Sequence, residues 1–195
     1  DSFIIVRKGD SLYTPTEEAN HKFLGWTENV DDISDPFKEM KAGLRGEVTL
    51  YAVWEYTGGI TQTIAVTNAT LDGAIYKRVY ENGVNVSLAS SISVDDMTNA
   101  DYSYQWYKAE SGGKVKVPNG TQSAYSKITN VKDSGIYLLE FEFYCKNEPL
   151  WTGKDSIEAP EVEISPAQLY LESLSTEDMA YVGMDYKEIK PIAKM

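Results

Sequence analysis

The chain has 195 residues, of which 42% are hydrophobic and 25% charged, and it carries a net charge of −12. This length accommodates two domains, each able to bury a core. The acidic charge repels phosphate backbones and anionic lipid, and no run of roughly 18 apolar residues is present to span a membrane. We therefore expect a monomer that neither binds nucleic acid nor inserts into a membrane.

Short runs rich in Val, Ile, Thr and Tyr are separated, roughly every 8–12 residues, by Gly, Asn, Asp or Pro. This pattern predicts an all-β fold of small sheets and sandwiches. Tight turns are predicted at Asn82-Gly83, Gly112-Gly113 and Asn119-Gly120. The one predicted helical turn runs from Asp35 to Ala42, with Pro36 following an Asp cap.

Aromatic residues define a first module over residues 1–56. Alternation along TLYAVW (49–54) places Trp54 on one face of a strand and Tyr51 on the other. Each buried aromatic side chain removes about 150–250 Å² of surface from water, so a few of them supply a compact core. Gly25, which precedes Trp26, suits a β-bulge or a close backbone approach.

The string IIVRKGDSLYTPTE…HKFLGW…TLYAVWEY, over residues 3–56, resembles the Listeria–Bacteroides repeat, the InlB B-type repeat of bacterial surface proteins. Its landmarks here are Gly9, Pro15, Gly25-Trp26 and Leu50–Trp54. The resemblance implies a β-grasp spacer in a secreted, cell-surface or wall-attached protein. The family's opening strand is missing, so we expect the module to depend on packing against later residues.

A linker is predicted at Tyr56–Gly59, between two strand-like runs. We expect few contacts to cross it, so that the two modules unfold independently. A second boundary near Ser165-Pro166 leaves a tail, residues 165–195, that is too small for a core of its own. That tail resembles the start of a further β repeat.

Two strand patterns carry the second module, residues 60–164. In YSYQWYK, Trp106 shares a face with Tyr102 and Tyr104. From Ile136 to Cys145, apolar residues alternate with outward glutamates, as in a sandwich strand with one buried face. The pattern predicts a core that contains Trp106 and a small buried thiol at Cys145.

The segment from Asp133 to Tyr137 has the pattern D-x-G-x-Y of the corner found in immunoglobulin-like domains. In such a corner the tyrosine fills the core while its hydroxyl ties down a backbone loop. Trp106 stands where these domains keep a core Trp, so residues 60–164 resemble a bacterial immunoglobulin-like β-sandwich without the disulfide. The structural core signature of both modules is Gly25, Trp26, Tyr51, Trp54, Trp106, Asp133, Gly135 and Tyr137.

The inventory of reactive residues argues against catalysis. The only histidine, His21, lies in the other module from the single cysteine, Cys145, so neither a nucleophile–base pair nor a Cys/His metal cluster is expected. The sequence contains neither a G-x-S-x-G elbow nor a phosphate-binding loop. We predict no catalytic residue, no cofactor and no metal site, and hence no enzyme.

Two acidic clusters, Asp31-Asp32-Asp35 and Asp95-Asp96-Asn99-Asp101, offer oxygen ligands for calcium. Neither matches an EF-hand loop, and Asp and Asn are ordinary turn residues, so solvated loops are the favoured interpretation. Tyr107 is a candidate ligand contact, because tyrosines on the outer face of YSYQWY suit an interface or a sugar ring.

These patterns lead to the hypothesis of a non-catalytic segment of a secreted bacterial cell-surface protein. It would act as an adhesin or stalk spacer and as a protein-interaction module, with a host or cell-surface protein or glycan as partner. The alternative is a carbohydrate-binding accessory module of a secreted glycan-degrading enzyme.

Overall fold

The computed structural model describes residues 7–17, 19–95, 100–145 and 150–167. These residues form strands and one short 3₁₀ helix, Val131–Asp133, which confirms the all-β fold class. The strands are β1 (His21–Thr27), β2 (Tyr51–Tyr56), β3 (Ile60–Thr67), β4 (Thr70–Asp72), β5 (Ile75–Val79), β6 (Val86–Val94), β7 (Asp101–Glu110), β8 (Gly113–Lys116), β9 (Ala124–Ile128), β10 (Tyr137–Cys145), β11 (Leu150–Glu158) and β12 (Glu161–Ser165). The further repeat predicted in the tail falls largely beyond residue 167 and therefore outside the described residues. Within the described ranges, no helix has the length and apolar character needed to cross a membrane.

The strands form three sheets. The largest has the order β1-β2-β11-β10-β7-β8, and the two smaller sheets have the orders β3-β6-β9 and β12-β5-β4. Pairing is antiparallel except between β2 and β11 and between β5 and β12. The core lies between the large sheet and the two small ones, as in a sandwich, because one cluster of buried side chains draws on strands of all three.

Strict alternation on β10 fills this core. Tyr137, Leu139, Phe141 and Phe143 are each at most 2% exposed, while Glu142 between the last two faces solvent. Successive side chains of a strand point to opposite faces, so one strand supplies a full row of core contacts. The inward series predicted from the sequence is confirmed, and it ends at Cys145, which is buried.

The helical turn predicted from Asp35 to Ala42 is wrong. Phe37 instead pairs with Trp26 of β1 through two backbone hydrogen bonds of 2.8 and 2.9 Å. Glu39 forms a similar isolated bridge with Ser11. The Phe37 bridge adds a partner to β1 at Trp26. Such long-range pairing outweighs a local helix-start signal, which contributes little stability by itself.

A β-bulge shapes the β1–β2 hairpin. Phe23 lies opposite Trp54, but the next pair is Gly25 with Val53, so the register shifts by one residue between them. The extra residue brings Phe23 and Trp26 to the same face, where their ring centroids lie 5.6 Å apart. Trp54 completes the group at 5.3 Å from Phe23. Alternation without a bulge would have placed the two β1 aromatics on opposite faces.

Gly25 is required at the bulge for a second reason. A Cβ at this position would lie 2.9 Å from the backbone nitrogen of Phe37, and the φ angle of +154° disfavours any side chain. Both roles expected from the sequence, a bulge and a close backbone approach, therefore occur at the same residue.

Hairpin and sandwich share one sheet. The parallel β2–β11 ladder pairs Val53 with Leu150, Trp54 with Trp151 and Glu55 with Thr152. On the outer face, the Tyr144 hydroxyl of β10 donates to the backbone oxygen of Val30, in the segment that follows β1. The expectation of few contacts across the linker is thus wrong, whereas the expected packing of the hairpin against later residues is confirmed.

Tyr56, the last residue of β2, packs into the sandwich core. Its side chain is 6% exposed and packs with Val94, Phe141 and Phe143. Its hydroxyl donates to the backbone oxygen of Asp95 over 3.1 Å. A Cβ at Gly58 would overlap the Tyr56 ring, so the segment between β2 and β3 is held closely by packing.

We expect Gly25→Ala to lower the free energy of unfolding by about 1–3 kcal/mol, because the new methyl group meets the Phe37 backbone at a disfavoured φ. Gly112→Ala is the matched control, since a Cβ there has no neighbour within 4 Å. Urea denaturation of both variants measures the difference. Equal stability of the two variants would contradict the close approach at the bulge.

Tyr56→Ala should destabilise hairpin and sandwich together, by about 3–5 kcal/mol as for other large aromatic truncations. The ring leaves a cavity in the shared core, so amides of β1 and β6 should lose protection in parallel by hydrogen exchange. Tyr13→Ala, at a side chain that is 67% exposed, should change stability by less than about 0.5 kcal/mol. Loss of protection in β1 alone would show that the two parts unfold separately.

Candidate functional site

The D-x-G-x-Y segment forms a compact corner before β10. Tyr137 is 2% exposed, and its hydroxyl donates to the backbone oxygen of Asp133 over 2.6 Å. Burial raises the pKa of this phenol, with smaller contributions from Tyr125 and Asp133. The neutral hydroxyl thus ties down the 3₁₀ helix, which is the role that the pattern D-x-G-x-Y predicts for the tyrosine.

The Asp133 carboxylate organises the other side of the corner. It accepts hydrogen bonds from the backbone N–H groups of Thr129, at 3.0 Å, and Asn130, at 2.9 Å, and from the Thr129 hydroxyl at 3.2 Å. Burial by itself raises the pKa of this carboxyl, but these donors outweigh burial and lower it. Gly135, at φ +141°, then pairs with Val162 of β12 through bonds of 2.8 and 3.0 Å.

Trp106 is fully buried in the same core. Its indole Nε1 donates to the backbone oxygen of Gln122 over 2.9 Å, which satisfies the one polar atom of the ring. It lies opposite Leu139 in the β7–β10 ladder. Trp106 and Tyr137 therefore belong to the sandwich core and have a packing role.

The other signature residues lie in the hairpin. Gly25, Trp26 and Trp54 form the bulge and the aromatic group described above, while Tyr51 is half-buried and pairs with Thr27 at the start of β2. The core signature is thus divided between two places in the fold. It marks packing in each of them and does not converge on one reactive site.

Tyr107 lies on the outer face of the large sheet and is half-buried. The Lys114 ammonium sits over its ring, 4.7 Å from the centroid, and is also paired with the Glu140 carboxylate. Partial desolvation, together with a hydrogen bond to Glu140, raises the pKa of the Tyr107 phenol, and the hydrogen bond from Lys114 lowers the pKa of Glu140. One face of this ring is therefore already occupied by a cation.

The first acidic cluster is used in turns. Asp32 accepts from the backbone N–H of Ser34 at 3.1 Å and from its hydroxyl at 2.7 Å, which lowers the pKa of the Asp32 carboxyl. Asp35 pairs with Lys41 at 3.1 Å. In the second cluster, residues 96–99 lie outside the described ranges. Among the residues that are described, no group of three or more His, Cys, Asp or Glu side chains is arranged to hold a metal ion.

An aromatic cluster at the joint was missed by the sequence analysis. The His21 ring lies 4.2 Å from that of Trp151 and 5.5 Å from that of Tyr56, and Tyr56 stacks on Trp151 at 6.2 Å. Cys145 of β10 lies directly opposite Trp151 of β11. In the order of the sheet, Trp151 lies on a strand between His21 on β1 and Cys145 on β10. The aromatic character of these residues was visible, but their contact depends on the β2–β11 register.

An open cavity of about 600 Å³ lies where β4, β5 and β12 meet. Its two cationic residues have acidic partners: Lys77 pairs with Asp72 at 2.9 Å and Arg78 with Glu81 at 2.6 Å. Arg78 also donates to the backbone oxygen of Asn68 over 2.7 Å. The guanidinium thus fixes the local fold, and its charge is offset by Glu81.

Comparison with known proteins adds no family assignment. A scan against protein-family models gives no match, and a search of curated proteins gives no significantly similar sequence.

The corner predicts a pH dependence. Because hydrogen bonds lower the Asp133 pKa in the folded state, this carboxylate stabilises the fold above the unfolded-state pKa of about 3.9, and that stability is lost as pH falls through the folded value. Asp133→Asn should reduce stability at neutral pH and flatten its acid dependence below about pH 4. Denaturation curves between neutral and acid pH measure both effects, and an unchanged acid slope would assign that slope to other carboxylates.

Proposed function

We propose that this chain is a non-catalytic segment of a secreted bacterial cell-surface protein, acting as an adhesin or stalk spacer and as a protein-interaction module. In this proposal residues 1–56 form a module of the Listeria–Bacteroides repeat type with a β-grasp-like fold. Residues 60–164 form an immunoglobulin-like β-sandwich. The partner is a host or cell-surface protein or glycan.

The observation that carries the proposal is the continuous sheet across the joint. A spacer has to transmit orientation from one end to the other, and inter-domain motion is the default unless the interface is well packed. Here Leu150, 1% exposed, pairs with Val53 in the parallel ladder, and Tyr56 is buried on the other side of the sheet. Backbone pairing and aromatic packing together make the joint stiff.

The sheet order supports the immunoglobulin-like assignment of the second module. Strands β8-β7-β10-β11 form one layer and β3-β6-β9 the other, with the corner tyrosine at the start of β10 and a buried Trp on β7. In the immunoglobulin fold, the strand with the core Trp and the strand that follows the tyrosine corner are neighbours in one sheet. The same adjacency holds between β7 and β10.

The geometry of Tyr107 gives less support to the alternative, a carbohydrate-binding accessory module. Sugar rings stack on an open aromatic face, and Lys114 already lies over this ring while Glu140 engages the phenol. The same three side chains form a mixed polar surface of the kind that lies at the rim of protein interfaces.

The spacer role is tested by the motion of the two parts relative to each other. NMR relaxation of the intact chain should give the same overall rotational correlation time for the amides of β1 and β6. Leu150→Glu, which places a charge at a buried position of the ladder, should release the hairpin, whereas Ser156→Glu, exposed on the same strand, should not. Independent tumbling of hairpin and sandwich in the unaltered chain would rule the spacer role out.

A glycan array separates the two functions. We expect no binding that depends on Tyr107. Clear binding that is lost in Tyr107→Ala, and kept in the exposed control Tyr13→Ala, would replace the proposal with the carbohydrate-binding alternative.

A further inference from the structure

Strand β3 is an open edge of the sheet β3-β6-β9. Its eight residues pair with β6 alone, from Ile60 opposite Val94 to Thr67 opposite Ser87. Within the described part of the chain, no backbone hydrogen bond is formed on the other side of this strand. A row of N–H and C=O groups at such an edge is a template for another strand.

The sequence of β3, ITQTIAVT, contains none of the features that normally protect an edge. It has no charged residue, no proline and no bulge, and most of its residues are β-branched, which favours an extended chain. Proteins usually blunt an edge with lysine, proline, a bulge or a covering segment.

Other edges in the described ranges are protected. Exposed Lys114 and Lys116 lie on the short edge strand β8. Exposed Lys127 lies on β9, whose pairing with β6 contains a register shift. Strand β4 has only three residues, and isolated bridges from Phe37 and Gly135 contact the edges of β1 and β12. The contrast makes β3 the edge that is suited to accept a further strand.

The inward residues of β3 are incompletely covered. Ile64 and Val66 pack against the core but remain only half-buried, whereas Leu88, directly opposite Val66 on the central strand β6, is fully buried. Outward, Thr63 and Ala65 are exposed. A strand added at this edge would cover apolar surface on the inner side and meet small uncharged side chains on the outer side.

We propose that the edge of β3 pairs antiparallel with β3 of a second copy of this chain, forming a two-fold symmetric dimer with a continuous six-stranded sheet. A two-fold interface has to be self-complementary. With Thr63 on the axis, Ile60 faces Val66 of the other copy and Gln62 faces Ile64, so inward residues meet inward residues. No charge opposes another in the strand pair.

The antiparallel direction follows from the symmetry. A two-fold axis that crosses the strands relates them in opposite directions and keeps inward residues opposite inward residues. This interface goes beyond the proposed function and replaces the expectation of a monomer drawn from the sequence.

The net charge of −12 on each copy opposes association at long range, so the dimer should tighten as salt screens it. The screening length falls from about 30 Å at 0.01 M salt to about 8 Å at 0.15 M. Sedimentation equilibrium of the intact chain over a range of concentrations should therefore give a reversible dimer with a lower Kd at 0.15 M than at 0.01 M salt.

Thr63→Lys places two lysines directly opposite each other on the two-fold axis. It should raise the dimer Kd at least about tenfold, since like charges across a strand pair are unfavourable. The matched control is Ser91→Lys, which makes the same change at an exposed position directly opposite Thr63 but on a central strand. It should leave the Kd within about threefold of that of the unaltered chain, because both variants change the net charge equally and only Thr63 lies on the edge strand. Unchanged thermal unfolding of the Thr63→Lys monomer verifies that the variant is folded.

Three results would overturn the proposal. A chain that stays monomeric at millimolar concentration in 0.15 M salt has no such interface. A dimer that is weakened equally by both lysine variants, or by neither, forms elsewhere. A chain that stays monomeric but binds an added ITQTIAVT peptide uses the edge for a strand of another protein and not for a second copy.

Discussion

The parallel pairing of β2 with β11 is the constraint on which the rest of the arrangement depends. It joins residues that are far apart in the chain, Val53 and Leu150 for example, and so carries the entropic cost of closing a long loop. Burial of the aromatic cluster offsets that cost. Tyr56 enters the sandwich core, and Trp151 packs against both Tyr56 and His21. A small hairpin that would be marginal in isolation is thereby stabilised as part of a six-stranded sheet.

Aromatic packing continues from β2 and β11 into the neighbouring β10–β11 pair. Phe143 of β10 extends its ring across Gly153 of β11, where a Cβ would overlap it, and Tyr56 lies 6.1 Å from the Phe143 ring. Edge-to-face contacts of this kind add to the simple burial of area. The joint is therefore packed like the interior of a domain, as the proposed spacer role requires.

The corner before β10 fixes the opposite end of the sandwich. Tyr137 holds the backbone at Asp133, and the Asp133 carboxylate holds Thr129 and Asn130, so one loop is tied from both sides. Gly135 then joins the corner to β12. The edge of β3 stands apart from these anchors. It is the place where a long uncharged strand remains without a second neighbour in the described chain, and hence where association is expected.

The sequence by itself determined the all-β class, the inward series on β10 and the roles of Tyr137 and Gly25, because each follows from local periodicity or from one residue's stereochemistry. It also indicated where β2 ends and β3 begins. The tertiary structure decided everything that depends on register between distant strands: the bridge that replaces a helical turn at Phe37, the ladder between β2 and β11, and the meeting of His21, Tyr56 and Trp151. Tyr107 illustrates the same limit, since alternation assigns its face but not the lysine on β8 that covers its ring. Which strands become neighbours is set by the packing of the whole core, and no local pattern carries that information.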